Sequence, residues 1–346
     1  MTNDVMKIKR EIEQHLKQAI EPINQSIEEL LLEGTTDDFK EVVLYQVASG
    51  GKRLRPVLTL LFCESAGGNI TSRVIESAAG IELIHNYSLL MDDIIDRSPY
   101  RRNRPTTWVK YGLPIALLAG MHYREAIFLS ALKSPAPETI NRIFSDVIRQ
   151  LVEGERKDVL FEQAGRDEEY ILAKRYKTIT LDDYFEMIGD KTAILIRAAC
   201  EVGVICANGS KEILDAASAY GWNAGLAFQV KDDVLDLFAD AEKLGKPIGQ
   251  DIKEHKMGNI AVIYALEELN SAQRKYVVNV LQKEEITDEE VKKVIDLIKS
   301  TNASQKAEEK ARELKEEARK QLLKFPDSPA KKMLENIATY FVERTY

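Results

Sequence analysis

The chain has 346 residues, 45% of them hydrophobic and 30% charged, and a formal net charge of −8. This composition is able to bury a sizeable core, and the acidic balance gives no indication of nucleic acid or an anionic membrane surface as a partner. Any anionic ligand must therefore be held by a local group of cations. Three cysteines without metal-ligand spacing are typical of reduced core thiols: Cys63, Cys200 and Cys206.

Apolar residues recur at intervals of three and four along most of the chain, which predicts amphipathic helices and no strand. The N-terminus lacks the apolar run of a signal peptide, and the longest uncharged run, residues 216–230, is too short to span a bilayer. We therefore expect a cytoplasmic protein without a membrane span. The predicted helices cover residues 8–32, 38–47, 55–65, 72–96, 115–132, 137–162, 182–204, 211–238 and 259–268.

From about residue 281 the chain is richer in charge, so its last helices should be more exposed. No segment has the length or composition of an interdomain linker. The sequence therefore predicts one all-α domain, residues 1–346.

Two acidic clusters carry the first chemical signal. The segment LLMDDIID places Asp92 and Asp96 one helical turn apart, where like charges repel by roughly 0.2–0.5 kcal/mol, with Asp93 between them. A single copy would favour a solvated helix end. The segment FQVKDDVLD repeats the spacing among apolar residues, with Asp232, Asp233 and Asp236. Carboxylates without His or Cys suit Mg²⁺, which substrate phosphates usually complete, so the clusters could clamp a diphosphate.

A second anion site is predicted from basic residues at a helix start. The segment GGKRLRP places Lys52, Arg53 and Arg55 where a loop enters a helix. Backbone N–H groups there favour an anion, and Arg binds phosphate oxygens bidentately. RSPYRRNRP adds further arginines, Arg97, Arg101, Arg102 and Arg104. Two diphosphates with hydrophobic tails fit one magnesium-assisted site and one metal-free site.

Five motifs occur in a fixed order: GGKRLRP, DDIID with a following RR, GDKTA at 189–193, FQVKDDVLD, and LGKPIGQDIKEHK. Because these motifs occur in this order, the chain resembles the trans-type polyprenyl (isoprenyl) diphosphate synthases, most closely the archaeal geranylgeranyl and short-chain enzymes. The resemblance implies an all-α, isoprenoid synthase-type bundle around a central hydrophobic cavity. It also implies a homodimer and Mg²⁺, with three ions per active site when substrate is bound and Mn²⁺ able to substitute.

The resemblance further implies roles for individual residues. The metal ligands would be Asp92, Asp93, Asp96, Asp232 and Asp236, with Asp233 less certain. Isopentenyl diphosphate would be bound by Lys52, Arg55, His85 and Arg102. The allylic diphosphate would be contacted by Arg101, Lys191 and Lys246. Thr192 and Gln229 would lie beside the developing cation, as catalytic residues together with Lys191, and Lys256 would belong to a closing loop.

The implied reaction condenses isopentenyl diphosphate with dimethylallyl, geranyl or farnesyl diphosphate. We expect geranylgeranyl diphosphate as product, because Tyr87 followed by Ser88, one turn before Asp92, resembles the archaeal geranylgeranyl type. Farnesyl and geranylfarnesyl products stay open, as does a cavity floor formed by Met121 or Tyr123.

Two rival readings are a class I terpene cyclase and a non-catalytic subunit of a heteromeric synthase. A cyclase would lack the second Asp-rich motif and GGKRLRP, and a regulatory subunit would be expected to lose one Asp cluster. Four departures from the family pattern bear on substrate preference and on the closing loop: Met91 for a frequent His, LAGMHYREA without the usual Asp after Ala-Gly, Glu155 for a frequent Gln, and the ending HKMGN.

Overall fold

The computed structural model describes residues 3–239 and 248–344, and most of these residues are helical. The prediction of an all-α fold is confirmed. The helices are α1 (Asn3–Leu32), α2 (Lys40–Tyr45), α3 (Leu54–Ser65), α4 (Ser72–Ile95), α5 (Thr107–Tyr111), α6 (Leu113–Lys133), α7 (Pro137–Phe161), α8 (Glu169–Lys174), α9 (Leu181–Ile188), α10 (Ile194–Cys206), α11 (Lys211–Phe238), α12 (Gln250–Lys253), α13 (Ile260–Glu268), α14 (Ser271–Leu281), α15 (Asp288–Lys299), α16 (Ala303–Gln321) and α17 (Pro329–Glu343).

The expectation of no strand is wrong at one place. Strand β1 (Tyr100–Arg101) pairs antiparallel with strand β2 (Arg104–Pro105). Both turn residues between them, Arg102 and Asn103, have positive φ, 51° and 60°, as the two-residue hairpin turns that match strand twist require. The hairpin brings arginines back beside the end of α4.

The predicted helix 182–204 is also interrupted. A π-helical turn, Gly189–Ala193, separates α9 from α10. Its position matters because such turns are rare and frequently occur at functional sites. Short 3₁₀ turns occur at Val47–Ser49 and Leu322–Lys324.

The central helices approach closely because glycines face their partners. A Cβ added to Gly225 of α11 would lie 2.5 Å from the Cα of Ala193, and one added to Gly221 would lie 2.5 Å from the Cα of Arg197. Phe62 of α3 packs edge-to-face on Tyr220 of α11, with ring centroids 5.1 Å apart. This packing fixes the π turn against α11, which carries the second acidic cluster.

Helix α6 carries apolar side chains that this single chain does not cover. It is the one helix in the described residues that is long and apolar enough to cross a membrane, judged by length and composition alone. Only 44% of its most apolar window is buried. Its large exposed side chains are Leu113, Leu117, Leu118, Met121, Phe128 and Leu132.

Candidate active site

Two lysines, Lys191 in the π turn and Lys256 before α13, are held by one carboxylate. The Nζ atom of Lys191 lies 2.6 Å from Asp158 Oδ2, and that of Lys256 lies 3.2 Å from the same oxygen. Lys191 also lies 2.6 Å from Glu155 Oε2. Burial lowers the pKa of both lysines, but the nearby carboxylates together outweigh it and raise the pKa well above the ordinary value; they are Asp158 at both lysines, with Glu155 at Lys191 and Glu254 at Lys256. Both lysines are therefore cationic.

A cavity of about 100 Å³ adjoins the two lysines. It brings together five residues singled out from the sequence, namely Lys191, Thr192, Gln229, Asp233 and Lys256, with two further carboxylates, Asp158 and Asp251. Met187, Ile188 and Gly258 supply apolar wall. The lining is mostly polar, so the apolar cavity predicted for a substrate tail stays a prediction.

The π turn reaches this position because α7 is glycine at the contact. A Cβ on Gly154 would lie 2.4 Å from the backbone N of Lys191, a distance that real Cβ atoms do not adopt. On the outer side, Lys157 donates to Asp190 Oδ2 at 2.8 Å. The turn is thus held from both sides of α7, and Glu155 is placed against the Lys191 side chain.

The carboxylates of the first acidic cluster face two different groups of cations. Burial raises the pKa of Asp92 to about 8, with Glu155 adding to the rise and Lys191 opposing it. Burial also raises the pKa of Asp96, against the lowering effect of Lys256. These two carboxyl groups therefore lie near the lysine pair.

Asp93, by contrast, turns toward the hairpin. It is 2% exposed, and its Oδ1 accepts from Arg101 Nε at 2.7 Å. Its Oδ2 is buried without a hydrogen-bond partner among the described residues. Arg101, predicted to contact the allylic diphosphate, is therefore engaged by a carboxylate of the same motif.

In the second cluster, Asp232 and Asp236 contact groups that the sequence did not suggest. Asp232 Oδ1 lies 2.7 Å from a guanidinium nitrogen of Arg344, just after α17. The Asp236 carboxylate accepts from the backbone N–H groups of Gln250 and Asp251, both at 3.2 Å. Burial and the Asp251 carboxylate raise the pKa of Asp236 to about 7. Lys246, predicted for the allylic diphosphate, lies outside the described residues.

Asp233 is the most enclosed member of the cluster. Its Oδ2 accepts from Tyr184 Oη at 2.8 Å and from the Ile260 backbone N at 3.3 Å, and its Oδ1 accepts from Gln229 Nε2 at 2.9 Å. Burial and Asp251 raise the pKa of Asp233, while these donors oppose the rise. Gln229 in turn accepts at its Oε1 from Thr192 Oγ1, 2.8 Å away.

The donor set fits magnesium shared with a phosphate. Within residues 3–239 and 248–344, no three His, Cys, Asp or Glu side chains converge as a complete metal site. Mg²⁺ is commonly bound by one or two carboxylates plus substrate phosphates and waters rather than by an all-protein cage. Oxygen ligands from α4 and α11 beside two lysines match that chemistry.

The predicted metal-free cations gather around His85 on α4. Arg55 Nη1 lies 3.4 Å from His85 Nε2, and the Nε of Arg55 is buried without a hydrogen-bond partner among the described residues. Burial, followed by Arg55 and Arg102, lowers the pKa of His85 well below its usual value. Arg102 donates to the carbonyl of Gly50, and Lys52 Nζ donates to Tyr340 Oη at 2.7 Å.

Arg53 belongs to the core instead. Its Nη1 lies 2.8 Å from Glu82 Oε1, and both side chains are almost fully buried. Its φ of 51° lets it precede α3 while turning its guanidinium inward. The basic motif therefore offers Lys52 and Arg55 to a ligand, and not Arg53.

Sequence reasoning missed several residues of the site. Asp158 on α7 and Glu162, which directly follows α7, are buried and follow Glu155 at helical spacing. The sequence signal was therefore a row of carboxylates at i, i+3 and i+7 along one helix. Tyr184 and Arg344 gave no local signal, because only tertiary packing brings them to α11.

Comparison with known proteins agrees with this arrangement. The chain matches the polyprenyl synthetase family model over residues 36–298. A short chain isoprenyl diphosphate synthase of Methanothermobacter thermautotrophicus is 32% identical, over 99% of this chain and 100% of the relative. A geranylgeranyl diphosphate synthase of Methanosarcina mazei is 32% identical, over 94% and 95%. The crystal structure of geranylgeranyl pyrophosphate synthetase from Pyrococcus horikoshii superposes with a TM-score of 0.85 at 33% identity, covering 97% of this chain and 99% of that one.

The chain therefore belongs to the polyprenyl synthetase family. Its members are prenyltransferases that make prenyl diphosphates and generally depend on magnesium, so the predictions of family, fold and enzyme class are confirmed. The individual site residues stay predictions.

Proposed function

We propose that this chain is a geranylgeranyl diphosphate synthase that condenses isopentenyl diphosphate with an allylic diphosphate. The observation that carries the proposal is the presence of two separate cation sites. One, at Lys191 and Lys256, is ion-paired to carboxylates, and the other, at Lys52, Arg55 and Arg102, forms no ion pair among the described residues. Condensation needs two diphosphates of which only one departs, whereas a cyclase needs one.

At the first site the diphosphate leaves. Asp92, Asp93, Asp96, Asp232 and Asp236 would hold magnesium, three ions per site, and the metal would supply Lewis-acid stabilisation of the departing diphosphate. Lys191 and Lys256 place two fixed positive charges where negative charge develops. The oxygens of Thr192 and Gln229 line the same cavity, so their dipoles are available to the allylic carbon as it becomes cationic. Met187, Ile188 and Gly258 form the apolar part of the wall and would limit the water that could quench that cation.

At the second site the isopentenyl diphosphate is retained. The unpaired Nε of Arg55 and a neutral His85, whose imidazole presents one N–H donor, are suited to phosphate oxygens. Arg55 and His85 therefore position isopentenyl diphosphate, because no bond to its diphosphate breaks in the reaction. The released diphosphate is proposed to accept the last proton, so the reaction needs no protein base.

For product length we propose Tyr87 as the floor of the tail cavity. Tyr87 is half-buried against the main core. The Ser88 hydroxyl donates a hydrogen bond to the His85 carbonyl at 2.9 Å. Met121, considered as an alternative floor, is 66% exposed, so it does not close an interior cavity of one chain. Tyr123 is fully buried and donates to the Val43 carbonyl at 2.8 Å. It stays the alternative.

We also propose a homodimer formed through α6, a single domain over residues 1–346, and a cytoplasmic location. A second copy covering Leu117, Leu118 and Met121 would remove an exposed apolar surface of the kind that marks interfaces. Leu118→Glu should shift the mass measured by light scattering from two chains to one. Glu153→Gln, an exposed change elsewhere, should leave the mass unchanged, and a monomeric parent chain would contradict the dimer.

The function is tested by supplying labelled isopentenyl diphosphate and magnesium with dimethylallyl, geranyl or farnesyl diphosphate in turn. The dephosphorylated products are then resolved by length. We expect a twenty-carbon alcohol from each primer. No elongation by the purified chain would favour a regulatory subunit, and a hydrocarbon formed from the allylic diphosphate alone would favour a cyclase. A main product of fifteen or twenty-five carbons would overturn only the product length.

A further inference from the structure

Tyr184 is a fully buried tyrosine whose hydroxyl points at the acidic cluster of a neighbouring helix. It lies on α9, whose start is fixed by a capping box at Thr180. Its ring packs in the core formed with Met187, Ile188 and Val230, and its hydroxyl donates to Asp233 Oδ2. Tyr184 itself does not line the cavity, whereas Asp233 does.

The hydrogen bonds beyond Asp233 lead directly to the cavity. Asp233 Oδ1 accepts from the amide nitrogen of Gln229, and the amide oxygen of Gln229 accepts from Thr192. A glutamine amide is nearly symmetric in shape, so its neighbours decide which end points where. A threonine hydroxyl can donate or accept, and therefore does not decide this. Asp233 decides it: its Oδ2 accepts from Tyr184 and from the Ile260 backbone N–H, and this holds Oδ1 toward Gln229 as an acceptor.

We propose that Tyr184 is a positioning residue for the reaction: it holds Asp233 so that Gln229 presents its carbonyl oxygen, not its NH₂ group, to the cavity. The inference rests on the proposed function, since the carbonyl oxygen matters because the allylic carbon becomes positive. A carbonyl dipole stabilises a developing cation, and an NH₂ group pointing the same way opposes it. The effect is therefore felt in the transition state more than in substrate binding.

The test variant is Tyr184→Phe, which removes one oxygen and leaves the ring. We expect kcat to fall about tenfold, the effect of losing a group that orients a catalytic one, while KM for both diphosphates stays within about twofold. Gln229→Ala should fall further, and the variant carrying both changes should be no slower than Gln229→Ala, because residues that act as a unit are not additive. Loss of a tyrosine with only a structural role would not lower kcat while leaving KM unchanged, and its effect would not disappear in the Gln229→Ala background.

The matched control is Tyr220→Phe. Tyr220 is equally buried and donates to the Leu334 carbonyl at 2.7 Å, remote from the cavity. It should lose comparable thermal stability and keep its kcat. If Tyr184→Phe does not fold, Asp233→Asn tests the same link, because its amide can offer NH₂ to the Gln229 oxygen and reverse that side chain.

Product formation by the parent chain reports on the proposed function, and the variant ratios report on Tyr184. A crystal structure of Tyr184→Phe gives a result independent of turnover. We expect the 2.9 Å contact between Gln229 and Asp233 to be lost or reversed. An unchanged kcat, losses that multiply in the combined variant, or an undisturbed Gln229–Asp233 contact would each overturn the inference.

Discussion

Replacing Asp92 by Asn should stabilise the metal-free protein, and more so at higher pH. Burial and Glu155 raise the pKa of Asp92 from 3.8 to about 8. Between these values the native chain binds a proton that the unfolded chain has released, so stability falls as pH rises. One proton of difference corresponds to about 1.4 kcal/mol per pH unit. From pH 5.5 to 7.5 the stability advantage of Asp92→Asn over the parent chain should therefore grow by up to about 3 kcal/mol.

The assay is thermal unfolding in EDTA at both pH values. For 346 residues the unfolding entropy is about 0.7 kcal/mol/K, so the gain in Tm should be about 4 °C. The control is Asp37→Asn, which replaces an exposed carboxylate paired with Lys40. This variant should not gain Tm over the parent chain as the pH rises. If Asp92→Asn has no higher Tm than the parent chain, or if the difference is the same at pH 5.5 and 7.5, then Asp92 does not lie in the unfavourable environment described here. Turnover of Asp92→Asn should meanwhile collapse.

Three further predictions concern activity. Asp232→Ala, or excess EDTA, should lower kcat by about 100-fold or more, because the metal acts mainly in the transition state; near-normal turnover in either case would refute a metal held by both clusters. Arg55→Ala should raise KM for isopentenyl diphosphate about tenfold or more, with a smaller change for farnesyl diphosphate, and equal changes would contradict the metal-free site. Tyr87→Ala should lengthen the main product, and an unchanged product in a folded, active variant would place the floor elsewhere.

The helices were predictable where hydrophobic periodicity is long. Residues 72–96 and 137–162 were expected, and α4 (Ser72–Ile95) and α7 (Pro137–Phe161) were found. The π turn was not, because Gly189–Ala193 keeps a helical pattern and its extra residue is accommodated by Gly154 on another helix. The hairpin after α4 was not predicted either, because its turn residues with positive φ are Arg102 and Asn103 and not the glycines that usually indicate such a turn.

Motifs identified the charged residues but not their partners. Lys191 was predicted as a contact of the allylic diphosphate and Lys256 as part of a closing loop, yet Asp158 joins them. Arg53 and Arg55 look equivalent in the sequence, and only the buried Glu82 separates a core ion pair from a ligand contact. Arg344 reaches Asp232 across more than a hundred residues of sequence. Such pairings depend on the packing of distant helices, which local spacing does not encode.

The contact of Gly154 with the π turn also limits how this protein can be altered in the laboratory. Any side chain at position 154 must push α7 away from the Lys191 backbone, and Glu155 and Asp158 would move with it. Tyr87 and Ser88 lie on a different helix, α4. A mutant library directed at α4 should therefore yield active enzymes with altered products, whereas one that includes position 154 should be depleted of active members.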